Sequence, residues 1–217
     1  MDKRSVEKER KITAIVCAAG LSTRMGDKNK LLLPFRGTKI IAFVIRELMS
    51  SRIDRLIVVL GNDALNVQEA IENEPGINAR AILFVTNENF AQGHTSSIQS
   101  GIAAISWSYD DILIGLGDMP LISSHLYNEV IEWHLTSKIK NAPCISRPVV
   151  NTIPGHPVLL DKIYVNDILK CPVHQSCIKI IMQNREHFHP MNSQDESYIR
   201  DIDTKEDYNR LLSEIND

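Results

Sequence analysis

The chain has 217 residues, of which 43% are hydrophobic and 24% charged, and a formal net charge of −3. Those proportions belong to an ordinary globular chain of one generous domain and exclude a disordered chain or a fibre. Without a basic excess there is no charged face for general nucleic-acid binding, although the balance still allows a local positive pocket for one small phosphorylated molecule.

In chain order, the opening MDKRSVEKERK is charged and lacks the apolar core of a secretory signal, so residues 1–10 read as a solvated tail. Lys11–Cys17 (KITAIVC) is a short β-branched run, hence a buried strand. Ile40–Met49 has apolar residues at helical spacing behind Thr38, a residue that can cap it. Arg55–Leu60 is a second strand, and Ala64–Glu72 an amphipathic helix that stops near Pro75-Gly76. Ala79–Val85 and Asp111–Leu116 read as strands, Thr95–Ile105 and Ser123–Leu135 as helices. Strands that read as continuous apolar runs and alternate with helices predict an α/β fold, a three-layer α/β/α arrangement around a mostly parallel central sheet.

The remainder reads less regularly. Ala142–Val150 and Pro157–Leu160 look like strands, Asp161–Leu169 and Ser176–Asn184 like helices, Tyr198–Ile202 like a strand, and Thr204–Ile215 like a closing helix. No repeat, linker or membrane-length apolar run interrupts the chain, so one domain is expected over 11–217 and no membrane partner. Cys17, Cys144, Cys171 and Cys177 are scattered and form no CxxC pair, which predicts a reduced, cytoplasmic protein with cysteines used as small apolar side chains. Cys171, His174 and Cys177, and separately His187 and His189, lie near one another without zinc spacing, and Trp107 and Trp133 read as core anchors.

In open α/β sheets ligands bind at the C-terminal ends of the strands, so motifs there carry the most weight. After the first strand comes Ala18-Ala19-Gly20-Leu21-Ser22-Thr23-Arg24-Met25-Gly26, followed by Asn29-Lys30-Leu31-Leu32-Leu33-Pro34. This is neither a P-loop nor a dinucleotide fingerprint. Its small residues nevertheless let backbone N–H groups approach phosphate oxygens, Arg24 offers a fork of donors, and Lys30 a point charge. A tight turn with two solvated cations would show the same residues. Gln92-Gly93-His94-Thr95-Ser96-Ser97-Ile98 can be a polar rim or simply a helix cap. Gly117-Asp118-Met119-Pro120 puts a carboxylate at a strand end, as a metal ligand or a turn cap. Gly155-His156-Pro157-Val158 holds a histidine that can donate to a ligand or be structural. Asp203, just before Thr204, can cap the last helix.

Together these segments resemble the molybdenum cofactor cytidylyltransferase family, within the nucleotidyltransferases of Rossmann-like fold. The resemblance runs from about residue 11 to the C-terminus and is tighter in the nucleotide-binding half (about 11–122) than in the acceptor-binding half (about 123–217). It implies magnesium-dependent transfer of CMP from CTP to molybdopterin, with pyrophosphate leaving. It implies catalytic roles for Arg24, Lys30 and Asp118, and nucleotide contacts from Ala18, Ala19, Gly20, Leu21, Ser22, Gly26, Ser97 and Gly117. Acceptor contacts would come from Gly155, His156 and Pro157, and magnesium would be held by Asp118 and Asp203. It also implies a client hydroxylase of the xanthine dehydrogenase type. Ala19 favours CTP, because guanylyl-transferring relatives usually carry glycine there. Ser22 and the Asn29-Lys30-Leu31 context speak against a methylerythritol phosphate acceptor. Transfer to a sugar phosphate and guanylyl transfer to molybdopterin are weaker enzymatic rivals, and a nucleotide-binding accessory protein without turnover is the rival from a different class. His94 has no assigned role.

Overall fold

Apolar side chains alternate along the first strand, and that alternation builds two cores. The computed structural model of the chain describes residues 10–26, 28–138 and 142–216, so the expected tail at 1–9 lies outside the described residues. The strands are β1 (Ile12–Ala18), β2 (Pro34–Phe35), β3 (Thr38–Lys39), β4 (Arg55–Leu60), β5 (Ile82–Thr86), β6 (Asp111–Leu116), β7 (Ile145–Val150), β8 (Ile153–Pro154), β9 (Val158–Asp161) and β10 (Phe188–Ser193). The helices are α1 (Ile40–Met49), α2 (Ala64–Glu72), α3 (His94–Ala103), α4 (Ser124–Ser137), α5 (Val165–Lys170), α6 (Ile178–Gln183) and α7 (Lys205–Asn216). One sheet runs β10-β7-β9-β6-β1-β4-β5, with β8 paired to β7, while β2 and β3 form a separate hairpin. β1 is parallel to both β4 and β6, β4 to β5, and β10 to β7, whereas β9 runs antiparallel between β6 and β7.

On one face, Ile12, Ala14, Val16 and Ala18 pack with Ile41 and Ile45 of α1, Val67 of α2 and Tyr127 and Val130 of α4. On the other, Ile15, Ile57 and Val59 pack with Ile98 and Ile102 of α3 and Ile168 of α5. The period-2 alternation of β1 thus divides the three layers. α3 comes close enough to the sheet that a Cβ on Gly101 would lie 2.6 Å from Ile15 Cγ2. A third cluster, Met25, Leu33, Phe35, Ile40, Phe43, Ile202 and Leu211, ties the loop after β1 to the β2–β3 hairpin, α1 and α7.

The structure corrects two expectations, adds one strand and removes one of the two alternatives at Asp203. Lys39 rather than Thr38 precedes α1 as its cap residue, and the Thr38 hydroxyl instead bonds Glu74. Tyr198–Ile202 is not a strand: a 3-10 turn spans Glu196–Tyr198, and the apolar residues are anchors, with the buried Tyr198 hydroxyl bonding Leu126 O and Glu129. β10 is an additional strand; its Pro190 and His189 hide it, and a proline is tolerated there because the strand is at an edge. α7 is capped by Thr204, whose Oγ1 accepts from Asp207 N at 3.1 Å while Asp207 accepts from Thr204 N at 2.9 Å, so Asp203 is free of that duty. Among the described residues no helix is long and apolar enough to cross a membrane.

Candidate active site

The loop leaving β1 is held in shape by its own polar groups and by one buried side chain. Ser22 takes the left-handed conformation (φ 53°) and starts a 3-10 turn over Thr23–Met25, which ends at Gly26 (φ 72°). Met25 is 2% exposed within the third cluster, a burial that contributes roughly 2 kcal/mol and fixes the turn carrying Arg24. The Ser22 hydroxyl accepts from Lys30 N at 3.3 Å, and the Asn29 side chain accepts from Leu31 N at 3.0 Å. The loop therefore closes back on itself and delivers Lys30 beside the end of β6. Ala18, Ala19, Gly20, Leu21, Ser22, Lys30, Ser97 and Asp118 line one cavity of about 340 Å³, together with Phe90 and His94. Ser97 is buried, and its hydroxyl accepts from Asn87 Nδ2 at 3.1 Å.

Charge is concentrated at the mouth of this cavity. Lys30 Nζ lies 2.5 Å from Asp118 Oδ2 and 2.8 Å from Asp203 Oδ1, and Arg24 Nη2 lies 2.8 Å from Asp203 Oδ2. Lys30 and Asp203 are 173 positions apart in sequence. They meet because Ile202 N donates to Asp118 O at 3.0 Å, which docks the strand-end turn against the segment before α7. Burial works against the Lys30 charge, but Asp118 and Asp203 outweigh it and hold the ammonium above its ordinary pKa. Burial, followed by repulsion from Asp203 and Asp118, raises the Asp201 carboxyl above the usual range. One oxygen from each of Asp118, Asp201 and Asp203 lies within 4.8 Å of the other two, and Asp118 Oδ1 is buried without a hydrogen-bond partner. An all-carboxylate set with an orphaned oxygen fits a hard divalent cation such as magnesium. Cys17 also lines the cavity, but burial and then Asp118 push its thiol up to about 12, so it supplies no thiolate nucleophile at neutral pH.

A second cavity of about 200 Å³ adjoins the first, and His94 lines both. His156 and Arg147 line the second cavity among mostly aliphatic side chains. Gly155 and Pro157 do not line it. A Cβ on Gly155 would run into the Tyr198 carbonyl, so the glycine serves the close approach of two chain segments. His156 N donates to that same carbonyl at 2.8 Å. A backbone hydrogen bond at Ile114 engages the His156 ring, and its buried Nδ1 is left without a partner.

Of the expected site residues, the structure brings together Ala18 to Ser22, Arg24, Lys30, Ser97, Asp118 and Asp203. Gly26 and Gly117 shape the backbone without lining the cavity; a Cβ on Gly117 would meet Ile41 Cδ1 at 2.8 Å. Sequence reasoning missed Asp201, Asn87 and Arg147. Asp201 was visible two residues before Asp203, whereas Arg147 lies inside a strand with no motif around it. Cys171, His174, Cys177, His187 and His189 form no metal cluster among the described residues. Cys177 Sγ donates to Thr95 Oγ1 at 3.4 Å, and His187 Nδ1 shares a hydrogen bond of 2.7 Å with the Tyr164 hydroxyl.

Comparison with known proteins follows the same lines. The family described as MobA-like NTP transferase domain matches residues 14–188. The molybdenum cofactor cytidylyltransferase of Escherichia coli K12 is 27% identical over 197 residues, covering 91% of this chain and 93% of that protein. A Mycobacterium tuberculosis protein solved as a complex with manganese superposes with a TM-score of 0.70 at 23% identity, over 94% of this chain and 98% of its own. The 4-diphosphocytidyl-2C-methyl-D-erythritol synthase of Anaerococcus prevotii superposes with a TM-score of 0.71 at 18% identity, over 96% of this chain and 97% of its own. At those identities the two structures speak for the fold alone.

Proposed function

The chain belongs to the MobA-like NTP transferase domain family and is a nucleotidyltransferase, and from that premise we propose that it moves CMP from CTP to the phosphate of molybdopterin, with magnesium as its metal. One observation carries this reading. Two cations of the β1 loop and three carboxylates from distant parts of the chain converge at the mouth of a cavity lined by Ala18-Ala19-Gly20. A triphosphate needs small residues for backbone approach, positive charge for its oxygens, and oxygen ligands for a metal. Ala19 supports CTP, and the near full-length similarity to the Escherichia coli enzyme supports a molybdopterin acceptor over methylerythritol phosphate.

In this reading the acceptor phosphate attacks the α-phosphorus in line, the bond from that phosphorus to the bridging oxygen breaks, and pyrophosphate leaves with the electron pair. The acceptor is already anionic, so no general base is needed. Backbone N–H groups of Gly20 to Ser22 position the triphosphate, while Arg24 and Lys30 stabilise the charge that grows on the leaving oxygens. Asp118 and Asp203 favour the charged form of Lys30, which suits it to phosphate oxygens. Asp118, Asp201 and Asp203 would hold the metal, which supplies charge neutralisation and alignment of phosphate oxygens when bound. Ser97 meets the nucleoside, and His156 lines the acceptor cavity. The dinucleotide product would then pass to a hydroxylase of the xanthine dehydrogenase type.

The test is Asp118→Asn, which keeps shape and removes charge. Metal-dependent pyrophosphate release should fall by at least about 100-fold with an unchanged circular dichroism spectrum. Turnover within a few fold of the wild type would refute the assignment.

A further inference from the structure

β7 carries a guanidinium that meets no acid among the described residues. Arg147 is 8% exposed, and its Nε and Nη2 donate to a single acceptor, Gly155 O, at 3.0 and 2.7 Å. Those bonds use two of its five N–H groups, and among the described residues it makes no ion pair. Burial lowers its pKa to about 10, so the charge persists at neutral pH. The turn it bonds is also held by other contacts: Gly155 N donates to Pro148 O at 2.8 Å, and Val149 and Val150 pair with Pro154 and Ile153. A buried cation without a counter-charge is costly unless something brings the opposite charge.

Beside it in the same cavity is His156. Its ring engages Ile114 through a backbone hydrogen bond, its Nδ1 is buried and unpartnered, and burial together with the Arg147 charge keeps it neutral, with its pKa pushed down to about 3. With the other nitrogen carrying the proton, Nδ1 presents a lone pair. The remaining wall is aliphatic, including Ile98, Ile145 and Leu160. The cavity thus offers a fork of donors, one acceptor and an apolar surround.

We propose that Arg147 and His156 form an oxyanion subsite that selects the acceptor. Arg147 takes a phosphate or carboxylate oxygen carried on an apolar body, and His156 Nδ1 accepts a hydrogen bond from an O–H or N–H of the same molecule. The inference rests on reading this cavity as the acceptor side of the site.

The test titrates phenyl phosphate, benzoate and neutral benzyl alcohol into the full-length chain by calorimetry, following the His156 ring by NMR. Phenyl phosphate against benzoate tells a phosphate subsite from a carboxylate one. The favoured anion should bind wild type and Arg24→Ala alike, shift the His156 resonances, and bind Arg147→Met at least about tenfold more weakly, while CTP affinity stays within about twofold. Benzyl alcohol should bind weakly throughout. If Arg147→Met does not fold, Arg147→Lys keeps the charge, loses the fork, and should still weaken the anion several fold. Anion binding that ignores Arg147, that vanishes in Arg24→Ala instead, or that is matched by benzyl alcohol overturns the subsite. No turnover is required, so loss of the transferase reading with Arg147-dependent binding intact would remove the acceptor role and leave the subsite standing.

Discussion

Lys30 shows how one residue can be stable in place and still ready to move. Its ammonium is largely buried, and the carboxylates of Asp118 and Asp203 offset the cost of that burial. A triphosphate would present the same negative charge from another direction, so the lysine can change partners without losing compensation. Arg24 differs: its side chain is 66% exposed, and its ion pair is with Asp203. Its contribution belongs to the ligand rather than to the fold. Arg24→Ala should therefore weaken CTP about ten- to a hundredfold while changing CMP affinity far less, because the fork serves the outer phosphates. Calorimetry on both nucleotides checks this, and equal losses would contradict it.

At the scale of elements, legibility followed periodicity and local chemistry. α2, β4 and β6 were readable because their apolar spacing and end signals agree, and α1 from its apolar spacing alone. β10 was hidden by Pro190, and Tyr198–Ile202 looked like a strand because Tyr198 and Ile202 are buried as anchors. Arg24, Lys30 and Asp118 were readable because each sits in a motif at a strand end. Arg147 was not, because its meaning comes from its burial in a cavity beside no acid among the described residues, which no linear pattern displays.

One further network joins β6, α4, β7 and β9 at the strand ends away from the loop after β1. Buried Asp111 accepts from Arg10 Nε at 2.6 Å, lies 3.1 Å from Lys138 Nζ, and shares a 3.2 Å hydrogen bond with His134, which contacts Ser146 Oγ at 3.1 Å. Asp111 and His134 are both 0% exposed. Burial, partly opposed by Asp111, lowers the His134 pKa. Burial opposes ionisation of Asp111, but His134 and Arg10 outweigh it and hold the carboxyl well below its usual range. As pH falls below about 6.5, the unfolded chain takes up the His134 proton before the folded chain does. Folding stability is thus full above that pH and falls on acidification, by up to about 1.4 kcal/mol per pH unit from this residue. The Asp111 contribution persists until pH drops below about 3.9 and is then lost. Urea midpoints between pH 7 and 5 should fall in the wild type and fall less steeply in His134→Gln; identical slopes would contradict the account.

Across the whole molecule, the sheet separates these duties. The C-terminal ends of β1 and β6 carry the loop, the cations and the carboxylates, while the opposite ends carry the buried ionic network. The α3 side supplies Ser97 and His94, and the β7–β9 region supplies the second cavity. Two adjoining cavities that share His94 suit a reaction between two bound molecules, one passing a nucleotidyl group to the other. The most direct measurement is pyrophosphate release from CTP and from GTP, with magnesium, in the presence and absence of molybdopterin. The account predicts release from CTP that depends on molybdopterin and far exceeds release from GTP. Release that prefers GTP, or that is absent with molybdopterin present while another phosphorylated acceptor supports it, would contradict the proposed reaction.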